Sequence, residues 1–122
     1  SMSDICMQQV SIDMQLPLAY VTEELVDELE LLEPFGKGNT KPLFAEKNLR
    51  VQNLRVIGKN QNVLKFQVLD RNGRKMEAIY FGEAQECLEY LQTKEKVSLT
   101  FYPSVNEYRG NKTIQITVVN YQ

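Results

Sequence analysis

The sequence predicts a mainly β fold: a five-stranded Greek-key barrel preceded by an extra strand and an amphipathic helix. Three observations carry this. Apolar residues alternate with polar ones in successive short segments after residue 43. A single helical pattern interrupts them ahead of the fourth such segment. A connector punctuated by Pro and Gly separates all of them from an acidic leading segment. At 122 residues, 43% hydrophobic and 25% charged, the chain suits one domain with a real core.

The leading segment is taken as residues 1–33. Val10, Ile12, Met14 and Leu16 share one face of an alternating run, as in a half-buried strand. Thr22 is placed as a helix N-cap, with Glu23 and Glu24 in the first turn where the macrodipole favours acids. Leu25, Val26, Leu29 and Leu32 form the apolar stripe of a helix that ends near Glu33. Its acids face water, and that face should avoid DNA.

Residues 34–43 form the connector. Gly36, Gly38 and Asn39 tolerate positive φ, while Pro34 and Pro42 fix φ and discourage helix before them. Phe35 reads as a plug holding the connector against the barrel. A two-glycine turn is the plainer reading of Gly36 and Gly38, although their N–H groups can in principle cradle a phosphate.

The barrel is assigned to 44–122. Leu49 and Val51 are odd-numbered but Leu54 and Val56 even, a phase slip that marks a bulge in the first barrel strand. Arg50 and Arg55 lie on opposite sides of that slip, so at most one is expected to face a given groove. Gly58–Asn62 is a polar loop, followed by Leu64, Phe66 and Val68 pointing inward. Asp70-Arg71-Asn72-Gly73 is a hairpin turn, and the returning strand runs from about Arg74 to Phe81. Ala84, Cys87, Leu88 and Leu91 follow helical spacing. Val97, Leu99 and Phe101 mark one further strand and Ile114, Ile116 and Val118 another, with Asn106–Asn111 as the loop between them. The order β-β-β-α-β-β fits an OB barrel, in which the second and third strands and the 1–2 and 4–5 loops bind oligonucleotides.

Composition excludes several functions. With no histidine, Ser-His-Asp and Cys-His nucleophile systems are absent, as is imidazole ligation of a metal. No catalytic or metal-binding residue is assigned, and catalysis by this chain alone is not expected. Cys6 and Cys87 are far apart, and Cys87 reads as a buried thiol rather than half of a disulfide. With no apolar run long enough to span a bilayer and no signal peptide, the expected location is the cytoplasm. Ser1-Met2 reads as a cloning remnant on a piece of a longer protein.

The net charge of −2 conceals a split. Residues 1–33 carry eight acids and no base, whereas 34–122 carry a net +6. Residues 37–75 hold ten bases against Glu46 and Asp70 alone. Such clustering attracts polyanions. Single strands are held by cations that follow phosphates and by rings that stack on bases. The candidates are therefore Lys59, Lys65, Arg74 and Lys75 on the first loop and the strand 2–3 face, and Tyr108, Arg109 and Lys112 at the last loop. Singly, Lys59, Lys65, Arg74 and Lys75 each read first as a solvated surface charge, and their convergence on one face carries the case; Tyr108 is either a stacking ring or a ring packed on its own strands. Tyr80 and Tyr102 either stack on bases or line the barrel.

The run Leu32-Glu33-Pro34-Phe35-Gly36-Lys37-Gly38-Asn39, followed by Pro42 and Phe44, resembles the opening of the OB-like domain of the RecJ family of single-stranded-DNA exonucleases. Val56-Ile57-Gly58-Lys59, Ala78-Ile79-Tyr80-Phe81 and Asn106-Glu107-Tyr108-Arg109-Gly110, with Gln115 after it, agree in order. The resemblance implies a parent 5′→3′ exonuclease of recombination and repair, with Mn or Mg held by Asp and His in separate DHH-type domains. This chain resembles the accessory module that binds single-stranded DNA and joins that nuclease core. It departs from the family at Asn60-Gln61-Asn62, where a histidine is expected before the strand. The competing expectation is a docking domain for the core or a replication partner, with DNA contact secondary. An independent enzyme is the third.

Overall fold

A computed structural model describes residues 14–30 and 43–122 of the chain. The elements are β1 (Met14–Gln15), a 3-10 turn (Leu18–Tyr20), α1 (Glu23–Glu30), β2 (Phe44–Ile57), β3 (Val63–Leu69), β4 (Lys75–Phe81), α2 (Ala84–Gln92), β5 (Val97–Tyr108) and β6 (Asn111–Tyr121). The connector with Phe35, Gly36 and Gly38, the alternation at 10–13 and Cys6 lie outside the described residues.

The ring closes because β2 is long enough to serve two partners. Its first half pairs antiparallel with β5, from Phe44 opposite Phe101 to Leu49 opposite Val97. Its second half pairs antiparallel with β3, from Arg50 opposite Leu69 to Ile57 opposite Val63. The circuit continues β3–β4–β6–β5, with β4 and β6 parallel and the other pairs antiparallel. This is the five-stranded OB barrel with its helix between the third and fourth strands. β1 adds a short parallel pairing, Met14 beside Phe44 and Gln15 beside Ala45.

Two register shifts bend β2, one between Glu46 and Leu49 and one between Gln52 and Arg55. Each contains an asparagine at positive φ, Asn48 at 62° and Asn53 at 55°. Asparagine tolerates this left-handed region better than other residues with a Cβ. The second shift is the slip predicted from sequence, but its consequence for the arginines is the reverse of the expectation. Arg50 lies opposite Leu69 and Arg55 opposite Lys65, and Leu69 and Lys65 share one face of β3. Five positions separate the arginines on β2 and four separate their partners on β3, so the extra residue restores phase. Both side chains therefore project from the outer surface.

Leu64, Phe66 and Val68 point inward and meet Ala78, Leu99, Phe101, Ile116 and Val118, all buried. α2 covers one end with Ala84, Cys87 and Leu91, buried at the predicted helical spacing. Fully burying one such aliphatic or aromatic side chain contributes about 1.5–3 kcal/mol. Leu16, Leu18 and Val21 join the same core, so the leading arm packs on the barrel. Thr22 caps α1 as expected: its Oγ1 accepts the Leu25 N–H at 3.1 Å. Val26 is buried while Glu23, Glu24, Asp27 and Glu28 are exposed.

Two of the three barrel hairpins, β3–β4 and β5–β6, show their local chemistry plainly. Asp70 Oδ1 accepts the N–H groups of Asn72 and Arg74, each at 2.8 Å, and Gly73 takes φ 83°. The last connection is tighter than the loop expected over 106–111. β5 and β6 pair all the way to Tyr108 opposite Asn111. Only Arg109 and Gly110 remain, at φ 52° and 83°, the two positive values whose twist suits a two-residue hairpin.

Candidate nucleic-acid interface

The strand registers arrange the outer side chains of the sheet in rows that cross it. Along β3, Val63, Lys65, Gln67 and Leu69 alternate with the buried residues and so face outward. One row reads Arg55, Lys65, Ile79, Thr117, Tyr102 across β2, β3, β4, β6 and β5. The next reads Gln52, Gln67, Glu77, Gln115, Ser104, and the one beyond begins Arg50, Leu69, Lys75. Four cations, Arg50, Arg55, Lys65 and Lys75, thus share one face.

The middle row is a polar ladder. Gln67 Oε1 accepts from Gln52 Nε2 at 2.9 Å and from Asn53 Nδ2 at 2.7 Å, while Gln67 Nε2 donates to Glu77 Oε2 at 2.8 Å. Glu77 is the acid within these rows, and this bond holds it against the sheet. A hollow of about 300 Å³ lies over the ladder, lined by Asn53, Leu54, Arg55, Phe66, Gln67 and Glu77. A second of about 480 Å³ lies at the 70–73 hairpin, with Arg50, Asp70, Arg71 and Lys96 among its lining residues.

The structure distributes the seven predicted residues around this surface. Lys65 and Lys75 are on it. Lys59 is exposed in the loop after β2, beyond the Arg55 end, and Arg74 is exposed at the opposite end where β4 begins. Tyr108 has the outward phase of β5, is 65% exposed, and carries the Arg109 guanidinium 5.2 Å from its ring centre. Lys112 falls on the other phase, that of Ile114 and Ile116, and pairs across the hairpin with Glu107. Of the two tyrosines left open, Tyr80 packs edge-on to Tyr121 at 5.4 Å against the barrel core, while Tyr102 is half-buried on the outer face.

Sequence reasoning missed Arg71 and Lys96 and excluded one of Arg50 and Arg55. Lys96 reaches the hairpin because Val97 pairs with Leu49, a long-range closure without a local signal.

Cys87 is a free, fully buried thiol, pushed up to about 12 by burial, with a hydrogen bond from Tyr121 opposing the shift. The described residues contain no group of three His, Cys, Asp or Glu placed to hold a metal ion. No described helix is long and apolar enough to cross a membrane.

The ring of five strands and its cationic outer surface define an OB-fold domain. Residues 12–120 match the model of the RecJ OB domain. The chain belongs to that family. It is 24% identical over 107 residues to the single-stranded-DNA-specific exonuclease RecJ of Bacillus subtilis (strain 168), covering 88% of this chain and 13% of the relative. Crystal structures of RecJ from Thermus thermophilus in complex with Mn2+ and with Mg2+ superpose with a TM-score of 0.69 at 22% identity. That likeness covers 93% of this chain and 16% of the other, so the chain spans a small part of its relatives.

Proposed function

We propose that this chain is the single-stranded-DNA-binding module of a RecJ-like exonuclease that acts in recombination and repair. The observation carrying the proposal is the convergence of Arg50, Arg55, Lys65 and Lys75 on one outer face of the OB barrel. Lys59 extends that face past one end, and Arg74 with the Tyr108–Arg109 hairpin extends it at the other. Lys112 contributes positive charge to the hairpin from its reverse side. Such a surface follows phosphates and tolerates any sequence. In this reading the module itself hydrolyses nothing and holds no metal. Manganese or magnesium, and the hydrolytic step, belong to the DHH-type core of the same polypeptide, in the cytoplasm.

Fluorescence anisotropy with labelled oligonucleotides tests the proposal. Each neutralised phosphate on a single strand contributes a slope of about −0.7 to log K against log salt, so four contacts give about −3. Lys65→Ala should lower that slope by about 0.7, and Lys65→Glu should weaken binding further. Absence of binding at low salt, or affinity indifferent to Lys65→Glu and Arg109→Glu, defeats it.

One observation favours a second role alongside the first. α1 presents Glu23, Glu24, Asp27 and Glu28 to solvent from a helix anchored on the core. A docking function predicts that this surface, rather than the cationic face, captures the nuclease core in a pull-down. Capture that is unchanged when these four acids are replaced by their amides removes that role.

A further inference from the structure

One further row completes the outer face. Ile57 lies opposite Val63, and Val63 opposite Phe81, one step beyond the row of Arg55, Lys65 and Ile79. Phe81 is 60% exposed and Ile57 37%, two of the few large apolar side chains turned to water among the described residues. Holding apolar surface against water costs about 25 cal/mol per Å². Two such side chains flanking a half-buried Val63 form an apolar row on the outer face, the kind of exposed patch that marks a contact site.

Its surroundings identify the partner chemistry. Same-face positions on a strand repeat about every 7 Å and neighbouring strands lie about 4.8 Å apart, so Lys65 is diagonal to Phe81 at about 8 Å between backbones, with Arg55 one strand further. The loop carrying Lys59 is tied beside it, because Gly82 N–H donates to Asn62 O at 2.9 Å. That bond, one residue after Phe81, also fixes the backbone from which the ring projects. The nearest acid in sequence, Glu83, stands at the start of α2 and, like Glu86, acts on Tyr80 on the barrel side of β4, while Glu77, two rows away on the outer face, accepts a hydrogen bond from Gln67. An apolar platform bordered by cations and free of carboxylates within its own row suits a flat, uncharged ring attached to an anionic backbone.

We infer that the Ile57–Val63–Phe81 row is a base-stacking platform, with Phe81 stacking on a nucleobase while Arg55, Lys65 and Lys59 hold the adjoining phosphates. The inference rests on the proposed single-strand binding and assigns the base contact within it. Stacking on one ring contributes about 1–3 kcal/mol per base, equivalent to roughly 5-fold to 150-fold in affinity. Because every base has a π-face, the platform reads no sequence.

The test uses the 122-residue chain and two probes of equal length and charge, oligo(dT) and an abasic oligonucleotide. The wild type should bind oligo(dT) more tightly than the abasic strand. Phe81→Ala should lose roughly 10-fold or more for oligo(dT), keep its affinity for the abasic strand, and keep its salt slope. Lys65→Glu, in contrast, should weaken both. The sequence contains no tryptophan, so Phe81→Trp gives a single reporter whose emission should be quenched at saturating oligo(dT). Wild-type binding to oligo(dT) that survives Phe81→Ala, or unquenched emission from the introduced indole at saturation, overturns the platform and leaves the phosphate-tracking face standing. Failure of the wild type to bind either probe at low salt overturns both.

Discussion

Replacing Asn53 tests how the bulge in β2 is held. Its φ of 55° lies in the left-handed region, and its Nδ2 donates to Gln67 Oε1 at 2.7 Å. Asn53→Val asks a β-branched residue to adopt that φ, which costs about 1–2 kcal/mol relative to a tolerant residue. Loss of the exposed amide bond adds about 0.5 kcal/mol, giving roughly 2 kcal/mol in all. Asn53→Gly loses the same hydrogen bond but adopts positive φ freely, so its net cost should be at most about 0.5 kcal/mol. For a domain of this size each kcal/mol moves the melting point by about 4 °C. Asn53→Val should therefore melt about 8 °C below the wild type, and Asn53→Gly within about 2 °C of it. Differential scanning calorimetry decides the matter. Equal losses in the two variants would show that the side-chain bond, and not the backbone, holds the bulge.

Two further outcomes follow from the core. Phe66 is 1% exposed beneath the polar ladder, and Phe66→Ala should destabilise by about 3–5 kcal/mol in urea denaturation; a loss under about 1 kcal/mol would mean the barrel interior is not packed as described. At high pH, Cys87 and Tyr121 should both erode stability, because burial pushes each up to about 12 from ordinary values of 9.0 and 10.0. Between those values and about 12 the unfolded chain sheds protons that the folded chain keeps, so their contribution is intact below about pH 9 and falls as pH rises through the window. Urea titrations at successive pH values should show this fall, and Cys87→Ala should make it shallower. A flat wild-type profile, or an unaltered slope in the variant, contradicts it.

The legible parts of the fold are those in which one residue type answers a local demand. Thr22 had to cap a helix opening with two glutamates, and Asp70–Gly73 had to turn. Leu64, Phe66 and Val68 could only be the inner phase of a strand whose other phase held Lys65 and Gln67. Orientation failed wherever both phases were mixed. In β4, Met76, Ala78 and Tyr80 compete with Glu77, Ile79 and Phe81, and only the pairing of Ala78 with Phe66 and Ile116 decides that Tyr80 turns in and Phe81 out. The arginines of β2 failed for a subtler reason. A phase slip on its own implies that they separate, although the inserted residue realigns the strand with its partner and puts both on one side.

The open edge at the start of β2 explains why the leading arm belongs to the fold. Along its first half β2 bonds β5 on one edge, and its pairing with β3 begins only at Arg50. The other edge of Phe44 and Ala45 would present unpaired N–H and C=O groups, the usual liability of an open strand. β1 takes that edge, and the Leu16 N–H extends the pairing by donating to Ala45 O at 2.8 Å. Leu16, Leu18 and Val21 then bury against the barrel and carry α1 with them. The acids of α1 are consequently held in a fixed relation to Arg50, Arg55, Lys65 and Lys75 rather than on a loose tail. If the barrel face binds a polyanion as proposed, the acids of this anchored arm repel it. Replacing Glu23, Glu24, Asp27 and Glu28 by their amides should then strengthen binding at low salt, and unchanged affinity would refute that coupling.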